Sequence, residues 1–327
     1  MTFDHRVKLS GSRTAPTSFL RQIVVQLDDH HHFHGFGTSD RFAVRGERAA
    51  FHSAGACMAE VFGQELLAKK NAIITGGGSG INLAIARRFA AHGASVALIG
   101  RTKEKLDSAA DEIRRTGGTA SGHPADVRDY DALAAAIKSA REIHGEIDLV
   151  VCGAAGNFPA PALGMSANGF KAVVDIDLLG TFNTCRAVFE HLRRPGASII
   201  NISAMQAFTP TPMQAHVCAA KAGVDMLTKC LAIEWGPDGV RVNSIAPGAV
   251  DDTEGMKRLA PTPEIQKQFT RSIPLRRFAT KDEIADLALF LSSDAAKFIT
   301  GAVVVCDGGQ SLAGLGVNMM AVMQPRS

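Results

Sequence analysis

From Met58 onward the chain alternates short β-branched runs with longer segments in which apolar residues return every three to four positions. The short runs predict strands over 72–75, 95–99, 119–123, 147–151, 197–203, 240–246 and 303–306. The longer segments predict helices over 81–92, 103–115, 129–144, a stretch around 170–192, 214–235 and 281–291. Strands separated by helices pair in parallel through crossovers. The expected fold class is therefore α/β, a Rossmann-like doubly wound parallel seven-stranded sheet with helices on both faces. Neither an internal repeat nor a long linker interrupts this pattern. The first 57 residues lack it, apart from a short apolar run over 23–27, and hold six of the eleven histidines. Residues 1–57 are read as an extension, disordered or not native, with Met58 as the natural start, and 58–327 as one Rossmann-like domain.

Composition narrows the setting. With 46% hydrophobic and 20% charged residues, the 327-residue chain has the balance of a soluble globular protein. A net charge of +3 with scattered Lys and Arg demands neither nucleic acid nor an anionic membrane as partner. The uncharged stretch 149–170 carries Asn157, Pro159, Pro161 and Asn168, which suits a strand and loop and not a membrane span. Six cysteines without CxxC spacing read as reduced thiols, and the expected location is cytoplasmic. Early basic residues (Arg6, Lys8, Arg13, Arg21) faintly resemble a transit peptide, while the closing Pro325-Arg326-Ser327 is no SKL-type address. The run His30-His31-His32-Phe33-His34 offers imidazoles to a metal but has no carboxylate or cysteine framework, so no resident metal is expected.

Candidate chemistry begins where the first strand runs into Gly76-Gly77-Gly78-Ser79-Gly80-Ile81 and then an apolar helix. Glycines in that place let backbone approach a pyrophosphate, and the helix N-terminus supplies free N–H groups to its charge. After the second strand comes Gly100-Arg101-Thr102-Lys103, with no acid before Glu104. A cation there suits the 2′-phosphate of NADPH/NADP, where an acid would suit the ribose of NAD.

Several ordered motifs resemble the short-chain dehydrogenase/reductase family over about residues 69–309: the glycine turn, Ala125-Asp126-Val127, Cys152-Gly153-Ala154-Ala155-Gly156, Gln214 to Gly223, and Pro247-Gly248. The resemblance implies cofactor contacts from Gly76, Gly78, Ser79, Gly80, Ile81, Arg101, Asp126, Val127, Ala154, Lys221, Pro247 and Gly248. Two departures concern the cofactor end. Asn82 replaces the last glycine of the family's turn, implying a slightly displaced helix, and the asparagines of the family's NNAG element are lost.

The catalytic end departs further. Lys221 is present, but the family's tyrosine four residues earlier is Val217, its serine is Ala204, and the only tyrosine of the chain is Tyr130. Ser203, one residue off along an extended strand, points to the other face. Asp225 lies four residues after Lys221 and is expected to pair with it. Asp177 stands where the family has an asparagine facing the same site. His216, about 140° around the helix from Lys221, is expected to line the substrate channel and not to pair with the lysine.

Here the sequence resembles a narrower group, the 2,4-dienoyl-CoA reductases, above all the peroxisomal type, in Ala155-Gly156-Asn157-Phe158, Asp175-Ile176-Asp177, His216 to Lys221 with Asp225, Glu234-Trp235-Gly236-Pro237 and Thr253 to Leu259. The resemblance implies NADPH-dependent reduction of an acyl-CoA, with Asn157 on the thioester oxygen, Lys221 on the cofactor ribose, and Asp177 and Asp225 ordering a proton-delivering water. Phe158, His216 and Gln206 would contact substrate, and Lys257, Arg258, Arg276 and Arg277 either meet the CoA phosphates or are solvated charges. The family's members are commonly homotetramers. Two alternatives stay open: another acyl-thioester or carbonyl reductase, and a catalytically inactive NADP-binding scaffold.

Overall fold

In the computed structural model, residues 62–312 are described. The N-terminal extension, its histidine run and basic residues, and the C-terminal Pro325-Arg326-Ser327 lie outside them. Seven strands, β1 (Asn71–Thr75), β2 (Ser95–Gly100), β3 (Thr119–Pro124), β4 (Leu149–Cys152), β5 (Ser198–Ile202), β6 (Arg241–Pro247) and β7 (Val303–Cys306), form one sheet. Every pairing is parallel, in the order β3-β2-β1-β4-β5-β6-β7. Ile147, which begins the predicted fourth strand, falls outside β4 because it forms only an isolated bridge with Leu192.

Alternation along each strand divides the core into two layers. Ala72, Ile74, Val96, Leu98 and Val151 face one side, under α1 (Gly80–Ala91), α2 (Lys103–Arg115) and α9 (Lys281–Ser292). Ile73, Ala97, Ile99, Val150 and Ile199 face the other, under α3 (Tyr130–His144), α5 (Gly180–Val188) and α6 (Ala215–Trp235). A sheet covered on both faces needs apolar residues at successive positions, which is why the central strands read as unbroken runs.

The predicted helical stretch around 170–192 resolves into α4 (Ala167–Val174), five residues of π-helix (Asp175–Leu179) and α5. Two helices went unpredicted: α7 (Glu254–Leu259), capped by Thr253, and α8 (Pro263–Ser272), capped by Thr262 with Pro263 in its first turn. They cover a small separate core of Ala249, Met256, Ala260 and Ile273. No helix among the described residues is long and apolar enough to cross a membrane.

Candidate active site

The strand order reverses between β1 and β4, and parallel α/β sheets bind ligands beyond the carboxyl ends of strands at such a point. A cavity of about 580 Å³ opens there. The turn after β1 contributes Gly76, Gly78, Ser79, Gly80 and Ile81; the end of β2, Arg101 and Thr102; the end of β3, Asp126 and Val127; and the loop after β4, Gly153, Ala154 and Ala155. Nine of the twelve cofactor residues the sequence predicts, all but Lys221, Pro247 and Gly248, are drawn together here from four strand ends, with Thr102, Gly153 and Ala155 beside them. The cradle fits a pyrophosphate. Gly76 has φ +70°, and a Cβ there would stand 3.1 Å from the Ala154 backbone. Ser79 caps α1 without a side-chain bond to the helix, and no acid occupies the first turn. Its hydroxyl and the helix N–H groups are thus available to a phosphate.

Arg101 is exposed and has no ion-pair partner among the described residues, and Lys105 also reaches the cavity wall. Asp126 is bound by Arg128 at 2.6 Å, and this hydrogen-bonded pair holds its carboxyl below the usual range. Pro247 and Gly248, like Lys221, are not part of the cavity wall; Gly248 packs against Asp307, whose Cα would lie 2.7 Å from an added Cβ.

Asn82 packs against the loop after β4. Its Nδ2 donates to the Gly153 carbonyl at 2.7 Å, and a Cβ on Gly153 would meet Asn82 Oδ1 at 2.0 Å. The bulk added at the helix is received by the side chain missing from the loop after β4. Ile85 and Phe89 of the same helix remain completely buried on the sheet.

Next to Ile202, which lines the cavity, Lys221 is buried and its Nζ donates to the Ile202 carbonyl at 2.9 Å. Its carboxylate partner is Asp177, at 3.3 Å, and not Asp225. Asp177 lies in the π segment, 1% exposed, and its other oxygen accepts from the Gly156 N–H at 2.7 Å. One carboxylate thus fixes both the lysine and the loop that carries Asn157. Val217, where the family's tyrosine belongs, is buried and offers no hydroxyl.

Asp225 does not form the expected pair with Lys221. It is buried beside the hydroxyls of Ser203 and Ser244. Burial raises its pKa, the two serines and more distant lysines opposing that in part. An acid whose pKa is raised by folding stabilises the fold most below its unfolded value, and that contribution is lost as pH rises toward the folded value. Asp225→Asn should therefore raise the melting temperature at pH 7 but not near pH 3, with turnover within about threefold of wild type, a margin under ~1 kcal/mol. A large loss of turnover would return Asp225 to the catalytic set.

Of the residues expected to contact substrate, Phe158 meets His216 edge to face, ring centroids 4.6 Å apart, and Gln206 Nε2 donates to Gln214 Oε1 at 3.1 Å. His216 is completely buried. Among the described residues, neither of its ring nitrogens has a hydrogen-bond partner, nor does Asn157 Oδ1. Of the cations considered for CoA phosphates, Arg258 donates to the Asn157 carbonyl, Lys257 pairs with Asp252 and Glu254, Arg277 pairs with Glu283, and Arg276 bonds the Arg271 carbonyl. Sequence reasoning missed the cavity contacts of Thr102, Lys105, Ile176 and Ile202. The position of Thr102 and Lys105 just after a cation at a strand end was the available signal.

Residues 76–311 match the family described as Enoyl-(Acyl carrier protein) reductase. The peroxisomal 2,4-dienoyl-CoA reductase [(3E)-enoyl-CoA-producing] of Arabidopsis thaliana is 44% identical over 248 residues, 73% of this chain and 83% of that protein. The corresponding protein of Rattus norvegicus is 43% identical over 258 residues, 77% and 88% of the two chains. Among solved structures, a short chain dehydrogenase from Bacillus anthracis is 41% identical with a TM-score of 0.67, covering 74% of this chain and 96% of its own. A gluconate 5-dehydrogenase from Burkholderia cenocepacia, in complex with NADP and tartrate, is 30% identical with a TM-score of 0.71, covering 76% and 98%.

Proposed function

The chain belongs to the short-chain dehydrogenase/reductase family, and from that premise we propose that it reduces 2,4-dienoyl-CoA to a 3-enoyl-CoA with NADPH. The observation that carries the reading is the pairing of Lys221 with Asp177 in a site whose tyrosine position is Val217. A ketone reductase of this design needs an acid on the carbonyl oxygen, a group typically worth ~10²- to 10⁴-fold in rate. Reduction of a conjugated dienoyl thioester needs none. A nicotinamide held by these residues would supply a hydride for C5 of the substrate; the electron pair would move through the diene to the thioester oxygen, and a proton would then add at C2. No alcohol forms.

The residues divide the work as follows. The glycine turn and the N-terminus of α1 hold the pyrophosphate. Lys221 holds the ribose hydroxyls and keeps positive potential near the developing dienolate. Asp177 positions Lys221 and, through the Gly156 N–H, the Asn157 loop at the thioester oxygen. A water over the Lys221–Asp177 pair delivers the proton to C2. The homotetramer of the family is supported by apolar residues left exposed on α5 and α6 (Phe182, Met226, Ile233) and near β7 (Phe298, Val305).

Arg101 carries the preference for NADPH. A charge-assisted hydrogen bond to a 2′-phosphate is worth about 1.5–3 kcal/mol, so Arg101→Ala should raise the KM for NADPH ~10- to 100-fold and leave that for NADH nearly unchanged. The function itself is tested by following NADPH absorbance with a 2,4-dienoyl-CoA and with a 3-ketoacyl-CoA. Oxidation driven by the ketoacyl substrate alone would overturn the reading. NADPH binding without turnover of either would make the chain a cofactor-binding scaffold.

A further inference from the structure

His216 sits in the first turn of α6, directly before Val217, with no exposed surface. Its two ring nitrogens have no hydrogen-bond partner among the described residues. A buried polar group left without a hydrogen bond costs about 1–3 kcal/mol, and native folds carry few of them. Asn157, whose amide nitrogen can donate and whose Oδ1 accepts from no partner among the described residues, lies on the loop whose next residue, Phe158, packs its ring against the His216 imidazole. Two polar side chains thus wait unpaired at one junction between the loop after β4 and the start of α6.

Resting on the dienoyl-CoA reading, we propose that His216 is a second hydrogen-bond donor, beside the Asn157 carboxamide, to the thioester oxygen as it takes up the dienolate charge. A neutral imidazole carries one N–H donor, and a donor fixed in a dry site stabilises a developing oxyanion without having to reorganise. The role restores, from the neighbouring position on the helix, the oxygen contact that Val217 has lost.

Donation without proton transfer follows from the surroundings of the ring. A general acid must be reprotonated each cycle, and His216 has neither solvent contact nor a hydrogen-bonded chain leading to it. The carboxylates nearby in sequence and fold are committed elsewhere: Asp177 to Lys221 and Gly156, Asp225 to the side of Ser203 and Ser244. No carboxylate among the described residues forms an ion pair with His216. The half-exposed Phe158 ring is the cover that the acyl chain packs against or displaces on entry.

Steady-state NADPH oxidation with a 2,4-dienoyl-CoA, compared across wild type, His216→Phe, His216→Gln and His216→Asn, tests the assignment. The phenylalanine variant should keep its melting temperature and its fluorescence-measured affinity for NADPH, keep KM for the acyl-CoA within a few fold, and lose kcat ~10²-fold, the scale of one oxyanion donor. Glutamine, whose amide nitrogen reaches the place of Nε2, or asparagine, which reaches that of Nδ1, should recover tenfold or more of that loss. A phenylalanine variant with kcat within threefold of wild type would overturn the proposal, as would a loss that neither amide repairs or that follows the melting temperature downward. Wild type inactive on the dienoyl substrate would instead defeat the functional reading, and this proposal with it.

Discussion

Lys221→Met should abolish useful turnover and cost the fold about 3–5 kcal/mol, because it leaves Asp177 as an uncompensated charge in a site 1% exposed. The lysine has two fixed contacts, the Ile202 carbonyl and the Asp177 carboxylate, and its remaining N–H is the one available to the cofactor ribose. Methionine fills the same volume with no charge, so shape is held while electrostatics are removed. Turnover should fall ~10²-fold or more, the scale seen when a preorganised charge is deleted. A second substitution separates the two effects. In Lys221→Met/Asp177→Asn the carboxamide oxygen still accepts from Gly156 N–H, but no charge is buried. Denaturant unfolding should show the double variant regaining much of the lost stability while turnover stays low. A double variant no more stable than Lys221→Met would mean that the unpaired carboxylate was not the cause.

Gly153→Ala should destabilise by about 1–3 kcal/mol, the cost of forcing a methyl group into a filled core. The new Cβ would overlap Asn82 Oδ1 at 2.0 Å, and Asn82 is not free to swing away while its Nδ2 holds the Gly153 carbonyl. Since Gly153 also lines the cofactor cavity, affinity for NADPH should weaken in parallel. Asn82→Gly, added to Gly153→Ala, should return part of the melting temperature by vacating the contested space. Equal losses for the single and double variants would show that the two positions do not share that space.

The central sheet was legible because burial on both faces forces strands such as Ala72-Ile73-Ile74 into unbroken apolar runs. The glycine turn was legible because its contacts are contiguous in sequence. What escaped was geometry that sequence spacing does not determine. Lys221 and Asp225 share a helix at the right interval, yet side chains lean toward the helix N-terminus, and one turn of α6 carries the face from the end of β5 to the body of β6. The lysine meets Ile202, whereas the aspartate meets Ser203 and Ser244. Its partner came from 44 positions earlier, placed by the π segment. Helices α7 and α8 were missed because they cover only a small satellite core, although Thr262-Pro263-Glu264 is an N-terminal signature that sequence alone displays.

The five-residue π turn at Asp175–Leu179 has a bearing on transplantation of this site. Such a turn amounts to one residue inserted into an α-helix, and one residue is worth about 100° of rotation. Helices α4 and α5 can therefore each keep an inward face while Asp177 turns toward Lys221. Any scaffold asked to receive this ammonium–carboxylate pair must inherit the irregular turn as well; a regularised helix with the same amino acids would aim the carboxylate elsewhere.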